Sequence, residues 1–461
     1  MTTTWIPQLE ARDEPTYRLI AEAIESDICD GILRPGSLLP THRDLADKMG
    51  LAIGTVTRAY KEAEKKGLIR GDGRRGTIVE THGASGSVLS QLVDTVAHGN
   101  EVHRLPHGTE LPDFARILTK LASDPESAAL FRYPTVVEKD SHKRAGAVWL
   151  ASLGLEVDPD QILCSVGAHH GILVTLASVT KPGDVVLAES HTYMGLSSIA
   201  ALLNLRLISV EIDREGIIPD SFADLCRKKR VRALFSIPTV HSPTNATMSL
   251  NRRRELVSVA DRHGVTIIED NMLGPMMTSP PPPLKSLAPE ICCLVTSATK
   301  VLCPGVKVGF VVPPDPLRQA CLDVIRATTV RVPPLVAELF AHMMSDGTAQ
   351  RVISDARREA GERHELAKRI LPEGRVVSDP ASYYIWILLP ERWTASAFAL
   401  AAMHRGVRVW PSDLFAIDKS SPARAVRYLI GPPANRGLLK QELEVLASLM
   451  LRDATAAEFE H

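Results

Sequence analysis

No apolar stretch in this chain approaches the roughly 18 residues that a bilayer-crossing helix requires, so no membrane span is expected. The opening Met1-Thr2-Thr3-Thr4-Trp5 lacks a basic segment followed by an apolar one, which argues against a secretory leader. Net charge is nearly missing too. Fifty-three Lys and Arg stand against 54 Asp and Glu, a balance of −1, so any affinity for nucleic acid must come from a local patch. Cysteine is sparse, seven in 461 residues and none in a C-x-x-C pair, and the adjacent Cys292-Cys293 do not have metal-ligand spacing. Reduced thiols in a cytoplasmic protein are the plain reading. What is present is a soluble balance, 45% hydrophobic and 23% charged, in a chain too long for one ordinary core.

The first 80 residues read as a compact helical unit ending in a small β-wing. Tyr17, Ile20, Ile24 and Ile28 recur at helical spacing, and Gly31 is expected to stop that helix. Thr41-His42-Arg43-Asp44 is a capping-box-like start for a second helix, which Gly50 ends. A third carries Val56, Ala59, Tyr60 and Ala63 on one face and closes at Lys66-Gly67. Leu68-Ile69-Arg70 and Thr77-Ile78-Val79 then read as two strands. Such a helix–turn–helix with a wing suits the DNA major groove, which admits one helix. Ala52, Gly54, Thr55 and Thr57 would enter it, with Arg43 and Arg58 near phosphates and Arg74 and Arg75 in the wing. Between Arg58 and Arg75 stand seven Lys/Arg against three Asp/Glu, a basic stripe in a neutral chain. A helical protein-interaction module with a solvated basic face fits the same pattern.

Residues 81–103 open polar and glycine-containing, with poor periodicity, and read as a linker. From about residue 104, helical patterns alternate with the apolar runs Val185–Ala188, Leu207–Val210, Ala233–Ile237, Thr266–Glu269, Leu294–Thr296 and Gly309–Val312. That alternation predicts a mostly parallel sheet covered by helices. Tyr384–Ile387, Val407–Val409 and Val426–Leu429 predict a smaller α+β lobe at the end of the chain. Two residues carry chemistry. Lys300 follows the apolar run Leu294–Thr296, and Asp270 closes an earlier one. A lysine amine placed to form a Schiff base, with a carboxylate to keep a pyridine nitrogen protonated, is what pyridoxal 5'-phosphate needs. An acid at a strand end can also be a helix cap.

Two resemblances cover nearly the whole chain. Pro15-Thr16-Tyr17, the segment Asp30–Ala46 and Gly54–Tyr60 closely resemble the winged helix of GntR-type bacterial regulators. Residues 104–461 resemble a fold type I, aspartate-aminotransferase-like pyridoxal-phosphate enzyme. Together they place the chain with the MocR subfamily of GntR regulators. The resemblance implies a multidomain α/β protein: a winged helix–turn–helix (12–80), a linker (81–103) and an effector domain (104–461). That domain would have a large lobe of about 130–345 and a small lobe of about 346–461.

By the same resemblance Gly167, Ala168 and His169 would meet the cofactor phosphate, as small residues at a helix start can. Lys300 would be the Schiff-base lysine, and Asp270 would pair with the pyridine nitrogen. Tyr193 would stack on the ring, unless it is an ordinary loop tyrosine. Ser297 and Lys307 would reach the phosphate, Lys307 as a point charge where relatives have arginine. Tyr133 would cross from the neighbouring subunit of a homodimer. Arg427 would clamp a substrate carboxylate bidentately, with Arg424 as competitor. Three positions depart from the pattern. Ser242 stands where aminotransferases have a cofactor-binding asparagine, Asn245 where a glycine is usual, and Met272 where a tyrosine is common. The expectation is a regulator of promoter DNA that senses an amino acid or amine by Schiff-base exchange at Lys300. A working aminotransferase with a DNA-binding domain, and a regulator whose cofactor site is vestigial, are the alternatives.

Overall fold

A computed structural model describes residues 5–7, 15–29, 32–33, 37–65, 68–71, 76–79, 105–106, 109, 111–131, 139–418 and 423–451. The chain divides into two compact units, Met1–His98 and Gly99–His461. The expected linker, and with it Gly31, Lys66-Gly67, Arg74, Arg75 and Tyr133, lie outside the described residues.

The first unit holds α1 (Thr16–Cys29), α2 (His42–Met49), α3 (Ile53–Lys65) and the antiparallel pair β1 (Ile69–Gly71) and β2 (Thr77–Val79). Ile20 and Ile24 of α1 close over Leu45, Val56, Ala59, Tyr60 and Ala63, with Ile69 and Val79 beneath. The apolar positions at helical spacing are therefore the core face. Thr41 starts α2: its Oγ1 accepts from the Asp44 amide at 3.1 Å and donates to Asp44 Oδ2 at 2.7 Å. Gly50 ends it at φ 66°, a left-handed turn that glycine adopts without steric cost.

The second unit is built on a seven-stranded sheet. Its strands are β3 (Leu163–Ser165), β4 (Val185–Glu189), β5 (Arg206–Val210), β8 (Val231–Ser236), β9 (Thr266–Asp270), β10 (Cys292–Ser297) and β11 (Gly309–Val312). A short hairpin, β6 (Ile212–Asp213) and β7 (Gly216–Ile217), stands apart. The spatial order is β3-β11-β10-β9-β8-β4-β5. All pairings are parallel except those of β11, which runs antiparallel to both neighbours. Only a 3-10 turn, Ala298–Lys300, lies between β10 and β11, whereas a parallel return usually takes a crossover helix. Helices cover both faces, so β10 (Cys-Cys-Leu-Val-Thr-Ser) is buried at every residue.

The last part of the chain folds as a four-stranded antiparallel sheet of order β12-β13-β15-β14: β12 (Val376–Val377), β13 (Tyr384–Leu388), β14 (Trp410–Pro411) and β15 (Ala425–Leu429). It packs on helices Ala395–His404 and Arg436–Leu451 around Trp393, Phe398, Tyr428 and Leu443. The strand expected at Val407–Val409 begins later, at Trp410. Gly406 (φ 77°) and Val407 still belong to the preceding helix end, where the Val407 amide donates to the Ala402 carbonyl at 2.9 Å. Among the described residues, no helix is long and apolar enough to cross a membrane.

Candidate cofactor and effector site

The C-terminal ends of β3, β9 and β10 and the start of β11 converge, since Gly309 pairs with both Ser165 and Ser297, and Val295 with Asp270. Open α/β sheets bind ligands at such an edge. A cavity of about 310 Å³ lies there, and Gly167, Ala168, His169, Tyr193, Ser242, Asp270, Lys300 and Lys307 all line it. Eight residues singled out from the sequence, spread over 141 positions, thus meet around one space.

The cradle at one end is a matter of backbone approach. Helix Gly167–Val179 starts at Gly167, whose φ of 76° is left-handed. Gly309 lies flush against it: a Cβ there would sit 2.7 Å from the Gly167 carbonyl carbon. His170 is spent inside this turn, its Nδ1 accepting from the Val166 amide at 3.1 Å and its Nε2 lying 2.8 Å from Thr328 Oγ1. His169 turns to the cavity instead, with Nδ1 3.1 Å from the Tyr193 hydroxyl. Tyr193 lies against Gly195, where a Cβ would come within 2.5 Å of the phenol. Burial, then the Asp270 charge, raise the Tyr193 hydroxyl pKa, so it stays protonated.

Asp270 is 5% exposed, and its Oδ1 has no hydrogen-bond partner among the described residues. Burial, then the carboxyl of Glu189, push its pKa up to about 7 against the pull of Lys300. Glu189, fully buried, is itself raised to about 7 by desolvation, although the Ile237 amide (2.6 Å) and Thr192 hydroxyl (3.0 Å) donate to it. Lys300 moves the opposite way. Burial, then the charge of Arg427, draw its ammonium down to about 7; Asp270 opposes and Lys307 adds to the fall. A lysine so lowered offers a neutral, nucleophilic amine near neutral pH.

Two expected contacts fall elsewhere. Ser297 does not line the cavity: its hydroxyl donates to the Val308 carbonyl at 2.8 Å and accepts from the Thr299 amide at 3.1 Å, which fixes the turn carrying Lys300. Thr299 lines the cavity instead, and its place immediately before the lysine was the signal available in the sequence. Arg427 also stands back. It is 1% exposed on β15, with its guanidinium carbon 4.5 Å from the Phe415 ring centroid and 5.4 Å from that of Tyr384. Nη1 donates to Ser242 Oγ at 3.2 Å, while Nε and Nη2 have no partner among the described residues. Burial lowers its pKa to about 10, which still leaves a cation at pH 7. Ser242 and Tyr384, not Arg427, form the cavity wall here. The rest of that side is Thr239, Val240, Met272, Leu273 and Tyr383; of these only Met272 was singled out, by the resemblance and not by periodicity.

Asn245 has φ 64°, the conformation for which glycine is usual and which asparagine tolerates. Its Nδ2 donates to the carbonyls of Val377 (3.2 Å) and Tyr384 (3.0 Å), tying the cavity loop to the small lobe. In the first unit, Gly54 and Arg43 are exposed and Thr55 half-buried. Thr57 Oγ1 lies 3.3 Å from His42 Nδ1, and Arg58 stacks on Tyr17.

Residues 105–425, well over half of the chain, match the aminotransferase class I and II family. The chain belongs to that family. Residues 16–79 match the bacterial regulatory proteins of the gntR family, so its head is of the gntR kind and the whole has the MocR arrangement. The chain is 29% identical over 453 residues to the uncharacterized HTH-type transcriptional regulator YdeF of Bacillus subtilis, covering 97% of both. It is 24% identical over 424 residues to the vitamin B6 salvage pathway transcriptional repressor PtsJ of Salmonella typhimurium, covering 90% of this chain and 94% of PtsJ. Among solved structures, an archaeal alanine:glyoxylate aminotransferase superposes with a TM-score of 0.69 at 21% identity, over 80% of this chain and 96% of its own. That likeness shows the fold.

Proposed function

We propose that the protein is a cytoplasmic transcriptional regulator that binds promoter DNA through its gntR-type head and answers to an amino acid or amine taken up in the cavity, where pyridoxal 5'-phosphate is held. The observation that carries this reading is the pairing of Lys300 and Asp270 in one cavity with opposite shifts. The residues fit the cofactor: the unpartnered Asp270 Oδ1 suits a pyridinium N–H, and the close-set Gly167 leaves room for a phosphate. Lys300 would attach it, Tyr193 would cover its ring, and Ala168, His169, Thr299 and Lys307 would surround its phosphate. When bound, the group supplies an aldehyde carbon open to amines and a ring able to withdraw electrons.

The chain's own residues account for the rest. Near neutral pH Lys300 has a neutral fraction whose Nζ lone pair could attack a carbonyl carbon, and Asp270 holds or releases a proton at its carboxyl. Arg427, a buried cation whose Nε and Nη2 lack partners, is costly as it stands and would gain from a carboxylate. Loosening the Ser242 contact would let it reach one. Cavity walls come from the β8–β9 loop and from Tyr383 and Tyr384 of the small lobe, so an occupant touches both lobes. It can shift DNA affinity only by binding one state better than another.

Turnover as an aminotransferase is the second reading, and two features count against it. Ser242 Oγ accepts from Arg427, and Met272 and Leu273 bring no hydroxyl to the wall. The deciding experiment adds the cofactor to purified protein and records visible absorbance and promoter binding as amino acids are titrated. A visible band lost in Lys300→Ala, with a DNA isotherm that moves with one amine, is the expected result. A band with an isotherm that never moves, or rapid consumption of a 2-oxo acid, would favour the second reading.

A further inference from the structure

Tyr17, in the first turn of α1, and Arg58, midway along α3, meet across the seam between those helices. The Arg58 guanidinium carbon lies 4.0 Å from the Tyr17 ring centroid, and that of Arg18 lies 6.0 Å from the same ring. Among the described residues Arg58 forms no ion pair. It belongs to the outward face of α3: Gly54, Arg58 and Lys61 are exposed at i, i+4 and i+7, while Val56, Ala59, Tyr60 and Ala63 face the core. Among the described residues nothing stands within 4 Å of a Cβ built on Gly54, so they leave the approach along this face open.

The geometry suits phosphate binding for a specific reason. A guanidinium carries its donors in its plane and stacks through its faces. An aromatic ring against one face therefore leaves the N–H edge available, whereas a carboxylate partner would occupy it. The ring also restricts a side chain that otherwise loses much rotamer freedom on binding, so less ordering remains to be done at the DNA. We propose that Tyr17 is a positioning residue for Arg58, holding its N–H edge toward the DNA backbone so that α3 enters the groove in one register. The inference rests on the reading of the head as a DNA-binding unit.

The test uses the full-length protein and a short duplex of random sequence, with affinity measured across a salt series. Arg58→Ala is expected to reduce the slope of log K against log salt by about one. Tyr17→Leu should weaken binding roughly two- to five-fold in the wild-type background and not at all in Arg58→Ala. Tyr17→Trp, which keeps a ring face, should bind as wild type. Arg58→Lys keeps the charge and loses the stacking plane, so it should retain the slope and show the Tyr17→Leu loss. Equal losses from Tyr17→Leu in both backgrounds would overturn the proposal, as would an unchanged slope in Arg58→Ala. If Tyr17→Leu unfolds the head, Arg58→Lys binding like wild type, or Tyr17→Trp binding like Arg58→Ala, would do so instead. Wild-type protein that binds no duplex at all would remove the DNA reading itself.

Discussion

At the scale of single residues, the cavity holds charged groups whose burial costs stability. Asp270 has its pKa raised from the ordinary carboxylate range to about 7. A group raised in this way is most favourable to the fold below its ordinary pKa, and that contribution is lost as pH climbs through about 7. Asp270→Asn removes the buried charge. Its melting temperature should match wild type near pH 4 and exceed it by roughly 2–5 °C at pH 8, where Lys300 is mostly neutral, while cofactor uptake falls. Thermal melts of both apoproteins across that range check the sign; a variant less stable at pH 8 would mean that the carboxylate is held by more than the burial cost suggests. Several residues that line the cavity were legible one by one. Lys300, Asp270, Gly167 and Tyr193 stand in short motifs whose chemistry has few other uses. Thr299, Val240 and Tyr384 were not, because a hydroxyl or apolar side chain at a strand end carries no signal until its neighbours are known.

At the scale of elements, β11 and the turn after β3 form one close-packed seam. A Cβ at Gly309 would meet the Gly167 carbonyl carbon at 2.7 Å and Ser165 Oγ at 2.7 Å, and backbone held by strand pairing cannot retreat. Gly309→Ala should therefore cost about 1–3 kcal/mol in urea unfolding and impair cofactor uptake. A fully stable variant that binds normally would show that the seam can open. Asn245 gives a paired expectation. Asn245→Gly keeps the φ of 64° and loses both carbonyl contacts, a cost of about 1–2 kcal/mol. Asn245→Ala loses the same contacts and adds left-handed strain of about 1–2 kcal/mol, so it should be the less stable of the two. The reverse order by denaturant midpoint would contradict the conformational argument. Most strands were legible as apolar runs because burial on both faces leaves little else to read. The antiparallel sense of β11 was not, since it depends on a connection length and on which neighbour is free.

At the scale of the whole molecule, the proposal joins two binding events through one equilibrium. Linkage then requires reciprocity: an amine that changes DNA affinity by some factor, typically about 5–150, must have its own affinity changed by DNA by the same factor. Titrating the amine by absorbance, with and without saturating duplex, measures both. Unequal factors at equilibrium would mean that the cavity and the head are not linked by a single exchange of states. The two-part organisation was legible because two pattern types, a winged-helix signature and a βα alternation, occupy separate stretches around a polar interval.

By itself the sequence determined the kind of scaffold and which residues were candidates for its site. Apolar periodicity is a local property, and it marks the strands at whose ends the lysine, the carboxylate and the small-residue turn stand. Tertiary structure alone decided how those groups are used. Ser297 holds a turn while Thr299 faces the space, and Arg427 sits behind Ser242 instead of in the wall. The physical reason is that the direction of a side chain at a sheet edge depends on strand register, and its company on a second lobe contributed by residues more than a hundred positions away.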